Sequence, residues 1–240
     1  MHIPDGYLGP ITWIVLWGVM IPLWIIAGKK LKKTLNTRQV PLLAIGAAFS
    51  FVIMMFNVPI LGGSTGHAVG GTLIAIVLGP WAALIAESVA LVIQALFFGD
   101  GGITAIGANC FNMGVVLPFV GYAIYKLLTR NAPAQSKRYW IAAGIASYVA
   151  INMAALCTAI EFGLQPIMYP ANSEGRFPYF MYPLNIAVPA MMIEHLVLFG
   201  IIEAIVTVLV VIYLQRTDPA LLHLPVEGYI APKSPTEVPV

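Results

Sequence analysis

Residues 8–28, LGPITWIVLWGVMIPLWIIAG, run without one ionisable side chain and then stop at KKLKK, residues 29–33. A helix of that length rises about 30 Å, the thickness of bilayer hydrocarbon, and only a helix satisfies the backbone of such a segment from within. The rest of the chain has the same character. Of 240 residues, 60% are hydrophobic and 9% charged, against about 25% charged in a soluble domain. A water-soluble globule is excluded. Twelve Lys and Arg against ten Asp and Glu leave a formal charge of +2, with no long basic face for nucleic acid. Cys110 and Cys157 sit in apolar stretches without metal-finger or disulfide-framework spacing, and read as small apolar wall residues. The sequence predicts an all-α membrane protein.

Further apolar runs occupy residues 41–56, 68–78, 81–98, 110–128, 139–160 and 186–214, which makes seven. The run 68–78 is short for a crossing, and charge parity decides how it is read. Lys29, Lys30, Lys32, Lys33 and Arg38 follow the first run, Lys126, Arg130, Lys137 and Arg138 lie between the fifth and sixth, and Arg216 follows the seventh. Cytoplasmic loops collect Lys and Arg. If all seven runs cross, these clusters share one side and only Arg176 lies opposite. The expectation is a seven-helix transmembrane bundle with the N-terminus outside and the C-terminus cytoplasmic. The apolar run precedes its basic cluster and lacks a small-residue cleavage site, so the start is not expected to be a cleaved signal. Residues 1–216 are expected to form one transmembrane domain, and residues 217–240, rich in proline and without periodicity, a flexible cytoplasmic tail. The outer side then receives the Gly- and Pro-rich segments: MHIPDGY at the start, 57–66, 98–102 and 162–185. Segments of this kind are where sites are built.

His2 puts three nitrogens in one plane: the α-amine of Met1, its own amide nitrogen and its imidazole Nδ1. Amine and amide close a five-membered chelate, amide and Nδ1 a six-membered one, and one position of a planar N₄ site stays open. That geometry suits Ni(II) or Cu(II) and admits Co(II). His67, at the end of the outer GGSTG loop, is the candidate fourth ligand. A disordered second residue and a hydrogen-bonded structural histidine are the plain readings of the same two positions. His195 and Glu203, eight residues apart on the seventh run, share roughly one face. With Asp100, Asn109 and Asn112 near the turn after the fourth run, they are candidates to orient a metal-bound imidazole. Bundle-fixing hydrogen bonds account equally well for them, as for Glu87 and Glu194, and Asn109 and Asn112 also suit a helix cap. His223, in the tail, reads as solvated. Ala44 and Ala48 make a small-xxx-small surface that suits a close helix partner. No HExxH, GxSxG or nucleotide-binding loop is present, so energy from ATP would come from another chain.

Five blocks in matching order, MHIPDGYL (1–8), GGSTGHAVGG (62–71), LGPWAA (78–83), QALFFGDGGITAIGANCFNMG (94–114) and EHLVLFGIIEAIVT (194–207), resemble the CbiM/NikM family. These are the substrate-binding (S) membrane subunits of cobalt and nickel energy-coupling-factor transporters. The resemblance runs from Met1 to about Gln215. It implies an N-terminus plugged into seven helices, with metal on the Met1 amine, the His2 amide and imidazole, and His67. The partners it implies are a transmembrane coupling (T) subunit, docking at Ala44 and Ala48, cytoplasmic ATPase subunits, and a small accessory membrane subunit. The cargo would be Ni(II) or Co(II), captured from outside a prokaryotic cell membrane, without an organic cofactor. The resemblance assigns no role to Glu87 or to residues 162–185. The readings from other classes are a secondary metal permease, a membrane metalloenzyme and a structural assembly subunit. An enzyme needs an open coordination position beside a general base, which a filled plane of nitrogens denies.

Overall fold

The computed structural model describes residues 1–34, 39–59, 64–133 and 135–222. The expectations for Arg38, Gly62, Gly63, His223 and the tail from residue 223 lie outside the described residues. Helix α1 is Pro10–Thr34, α2 is Gln39–Met54 and α3 is Gly71–Leu78. Next come α4 (Pro80–Phe98), α5 (Ile106–Thr129), α6 (Arg138–Met168) and α7 (Leu184–Thr217). All but α2 and α3 are long and apolar enough to cross a membrane. The two-residue strands β1, Val58–Pro59, and β2, Thr65–Gly66, pair antiparallel ahead of α3.

The inside of the bundle is built on α6. Ala142, Ala143, Ala146, Ala150, Ala154, Ala155 and Ala159 are all buried, and side chains this small let α5 and α7 approach closely without a hydrophobic drive. The outside is the reverse. On α1, Ile11, Ile14, Val15, Ile21 and Ile25 are at least half exposed, as suits a face meeting lipid rather than water.

Helix boundaries depart from the apolar runs where polar contacts intervene. The third run was expected from residue 68, but α3 starts at Gly71 because the amides of Val69 and Gly70 are taken by the Glu203 carboxylate, at 2.8 and 3.0 Å. Gly70 has φ of +83° and a Cβ there would lie 2.6 Å from the Phe49 ring, so the turn into α3 requires glycine. The segment expected as a loop from residue 162 begins helical and continues through Met168, where Gln165 accepts from the Gly9 amide at 2.8 Å. Past α7, Pro219–Leu222 makes a 3₁₀ turn whose Leu222 is buried, so the described beginning of the tail is packed.

Three helices loosen into π-helical turns, at Gln94–Phe98, Cys110–Val116 and His195–Phe199. Such turns gather at functional sites because they redirect side chains out of the α register. Gln94 and His195 each open one of them.

Candidate metal centre

Residues 1–9 do not trail from the bundle; they fold into it. Met1 and Ile3 are fully buried, and His2 and Leu8 nearly so. The Ile3 amide donates to Asn109 Oδ1 at 2.9 Å, while its carbonyl accepts from the Gly102 amide at 2.8 Å and from Asn109 Nδ2 at 3.2 Å. The Asp5 carboxylate accepts from the Ile103 and Thr104 amides at 3.0 and 2.9 Å and from the Thr104 hydroxyl. Gly102 has to be glycine here, since a Cβ would lie 2.3 Å from the Asp5 nitrogen. Farther along, the Phe180 amide donates to the Tyr7 carbonyl at 3.1 Å, and Phe180 stacks on Phe162.

This anchoring brings the two histidines and the chain start together. The Met1 amine lies 3.3 Å from His67 Nε2, and the imidazoles of His2 and His67 stand 4.5 Å apart between centroids, tilted by 32°. Ser64 donates to the His2 carbonyl at 2.9 Å, which ties the segment just ahead of β2 to the plug. Among the described residues no group of three or more His, Cys, Asp or Glu side chains forms a metal cage. The donors gathered here include backbone and terminal nitrogens instead.

The hydrogen bonds behind the rings decide which nitrogens carry lone pairs. His67 Nδ1 lies 3.1 Å from the Ala68 carbonyl, which only accepts, so Nδ1 holds the proton and Nε2 faces Met1 with a lone pair. For His2 the argument passes through Gln94. Its Nε2 reaches toward the Phe51 carbonyl, a long contact of 3.5 Å, which turns Oε1 toward His2 Nε2 at 3.1 Å. An amide oxygen only accepts, so His2 Nε2 carries the proton and Nδ1 the lone pair. That Nδ1 is buried without a hydrogen bond and sits 3.3 Å from Asp100 Oδ1. The geometry of this contact is not that of a hydrogen bond, so the Nδ1 lone pair is left unused. Ring nitrogens oriented by partners on their far side are the usual state of metal-ligating histidine.

Burial also sets the charge. It pushes the Met1 amine down from 8.0 to about 4 and the His2 imidazole from 6.5 to about 3, and it holds His67 well below its ordinary range. At neutral pH all three are uncharged donors.

The remaining candidates divide. Asp100 lies beside His2, and Asn109 clamps Ile3 instead of capping α5. Asn112 is a correction: its amide donates to Thr158 and Glu161 on α6, at 3.0 and 2.8 Å, and serves helix packing. Glu203 does not meet an imidazole; it holds the backbone just after His67. His195 is buried, with Nδ1 on the Met191 carbonyl at 2.8 Å, its ring 5.6 Å from Phe199, and Nε2 without a partner. Ala44 and Ala48 are exposed on α2. Gln94, Asp5, Ser64 and Ser50 were not singled out by the sequence; for Gln94 the signal was a lone amide in a run whose other polar residues are Glu87 and Ser88.

A lipid-facing helical bundle closed around its own N-terminus and two histidines is a membrane protein with a candidate transition-metal site. Residues 2–221 match the cobalt uptake substrate-specific transmembrane region, and the chain belongs to that family, CbiM. It is 54% identical over 222 residues to the fused nickel transport protein NikMN of Rhodobacter capsulatus, covering 92% of this chain and 64% of that one. This chain therefore spans just under two thirds of that relative. A putative metal transport protein of Methanocaldococcus jannaschii is 53% identical, with coverage of 92% and 94%. The cobalt transport protein CbiM of Ruminiclostridium cellulolyticum is 34% identical over 74% of this chain and 69% of its own. A crystal structure of a transition metal transporter superposes with a TM-score of 0.85 at 53% identity, covering 91% of this chain and 94% of that one.

Proposed function

We propose that this chain is the substrate-binding subunit of an ATP-driven energy-coupling-factor importer, taking up Ni(II) or Co(II) in a planar site of four nitrogens. The donors are the Met1 amine, the His2 amide and Nδ1, and His67 Nε2. The observation that carries this reading is the buried, uncharged amine 3.3 Å from His67 Nε2, beside an imidazole whose Nδ1 is left unpaired by the Gln94 contact. Nickel and cobalt both accept this donor set. In the same reading all seven helices cross the cell membrane of a prokaryote, α3 and α2 included, with the N-terminus outside and the C-terminus inside. Residues 1–216 form the metal-binding unit, and ATP hydrolysis resides in partner subunits that act through a transmembrane coupling subunit. A small accessory membrane subunit completes the assembly.

The test is calorimetric titration of Ni(II) and Co(II) into purified protein with its native start, in buffers of different ionisation enthalpy, together with the visible spectrum. Because the amine is already neutral, a single proton, that of the His2 amide, is expected to leave per metal bound at pH 7. Two protons would mean that the amine is charged before binding. The sign with pH follows. A withdrawn N-terminus binds a proton below about pH 8 and the inserted one does not until about pH 4, so insertion, and metal affinity with it, weakens as the medium is acidified through that window. Absence of Ni(II) and Co(II) binding would overturn the reading.

The coupling subunit is placed on the exposed Ala44 and Ala48. A bulky residue at a small-xxx-small contact keeps two helices apart, so Ala44→Trp is expected to abolish co-purification with that subunit and ATP-driven uptake while Ni(II) affinity stays that of the wild type. Undiminished co-purification would exclude this surface.

A further inference from the structure

Metal cannot reach the four nitrogens while the plug is seated, since Met1 and His67 are fully buried and His2 nearly so. His67 stands on backbone tied to Glu203 and Ser50, whereas the other three nitrogens belong to the chain start. The plug is therefore the part that has to move, and whatever holds it sets how fast metal exchanges.

Its contacts fall on alternate residues and divide between two supports. Ile3 and Asp5 are held by Asn109 and by the turn ahead of α5. Tyr7, Gly9 and Ile11 are held by the end of α6 and the segment after it. The Tyr7 carbonyl accepts from the Phe180 amide at 3.1 Å, the Gly9 amide donates to Gln165 Oε1 at 2.8 Å, and the Ile11 amide donates to the Tyr169 hydroxyl oxygen at 2.9 Å.

These contacts are not equally hard to break. The Asp5 clasp is exposed, so water replaces its partners when it opens. Gln165 is fully buried. Its Nε2 donates to the Thr12 hydroxyl at 3.1 Å and to the Glu161 carbonyl at 2.7 Å, which fixes Oε1 as the atom turned toward Gly9. Gly9 is buried as well, and a buried amide left without its acceptor costs more than an exposed one.

Gly9 is also the joint between plug and helix. Its carbonyl takes the amides of Thr12 and Trp13 in the first turn of α1, while its N–H lies in the peptide plane shared with Leu8. Swinging residues 1–8 outward about this joint turns that N–H away from Gln165. The Tyr169 ring lies against the same residue, where a Cβ on Gly9 would collide with it.

We propose that Gln165 is a positioning residue for metal exchange: with Tyr169 and Phe180 it clamps the root of the plug, and metal enters and leaves only as this clamp opens. The proposal rests on the planar-site reading above and gives the segment between α6 and α7 a task. The clamp holds the inserted plug alike with and without metal, so weakening it changes the rates in both directions and leaves the affinity where it was. A lost or displaced ligand does the opposite, weakening affinity without hastening capture.

The test is Gln165→Met in the full chain with its native start, a change that fills similar space without the amide. Ni(II) capture and release are followed through the planar absorption band, beside the equilibrium affinity. Acylation of the Met1 amine by a small amine reagent in the metal-free protein is read by mass spectrometry. Capture, release and Met1 acylation are each expected to run about tenfold faster than in wild type, with Kd within about twofold, the same band, and lysine acylation unchanged. Unchanged exchange and acylation rates would overturn the proposal, and so would weakened affinity with capture no faster. Should Gln165→Met fail to fold, Tyr169→Phe decides. It removes one hydroxyl from the clamp and is expected to speed capture and release about threefold, and unchanged rates there would overturn the clamp. Failure of the underlying planar-site reading shows separately, as no Ni(II) binding by the unaltered chain.

Discussion

A protein carrying one extra alanine ahead of Met1 is expected to lose the part of its Ni(II) affinity that depends on His67 by more than about a hundredfold, the upper end of what loss of an outer supporting contact costs at a metal site. His2 and His67 are untouched in that variant, so a site made of histidine side chains would not notice it. Two physical effects act together. The Met1 nitrogen becomes a peptide nitrogen, which keeps its place in the five-membered ring but must lose a proton before it can bind metal, and the free amine moves one residue on. The Met1 side chain is also fully buried, and the packed end of the bundle has no room for a further residue. Acetylation of the amine separates the two effects, since it removes the donor while adding little bulk. Loss of the planar nickel band is the expected result for the acetylated protein; in the extended one the new amine, two peptide nitrogens and the His2 imidazole form a plane of their own, so any band left there is expected to be independent of His67. A start at His2, with Met1 removed, keeps an amine and an imidazole but loses the third nitrogen of the plane, and should bind weakly. Equal affinity and the same band with and without acetylation would exclude the N-terminus as a ligand.

How far this site could be read beforehand follows from how local each contact is. The nearness of the Met1 amine, the His2 amide and the His2 imidazole is covalent geometry between adjacent residues, so it was visible in two letters of sequence. The membrane-spanning class was visible in residues 8–28 for a similar reason, because hydrocarbon leaves a backbone few options. His67 needed one step more, the assignment of its loop to the same end of the bundle as the chain start. Gln94 was not legible. Its role depends on a contact with His2 across 92 positions and another with Phe51 across 43, and neither leaves a local pattern. The same holds for Asp5 and Thr104, 99 positions apart. Asn112 misled because its place near Asn109 in sequence suggested a shared task, whereas it lies within the π-helical turn that begins at Cys110 and its amide meets α6. The late start of α3 is of the same kind. Residues 68–70 are apolar enough to continue a helix, and only the distant carboxylate of Glu203 and the left-handed turn at Gly70 beside Phe49 keep them out of it.

His67→Ala is expected to abolish high-affinity Ni(II) binding, with an effect as large as that of the added alanine and for a different reason. The N-terminal segment does not depend on His67 for its position. Its anchors are the pairing of Ile3 with Asn109 and Gly102, the contacts of Asp5 with Ile103 and Thr104, and the packing of Tyr7 against Phe162 and Phe180. The loop around residue 67 is likewise held by Glu203, Ser50 and Ser64. The variant should therefore remain folded with its plug inserted, and the loss should fall on the fourth nitrogen alone. Thermal unfolding without metal is expected to stay close to wild type, while the stabilisation that Ni(II) adds to the native protein disappears. His195→Ala provides the comparison. Its Nε2 is buried and unpaired, but the ring is fixed to Met191 and lies against Phe199, outside the four donors, so a much smaller loss is expected. If His195→Ala abolished binding while His67→Ala retained it, the fourth ligand would have to be reassigned to α7.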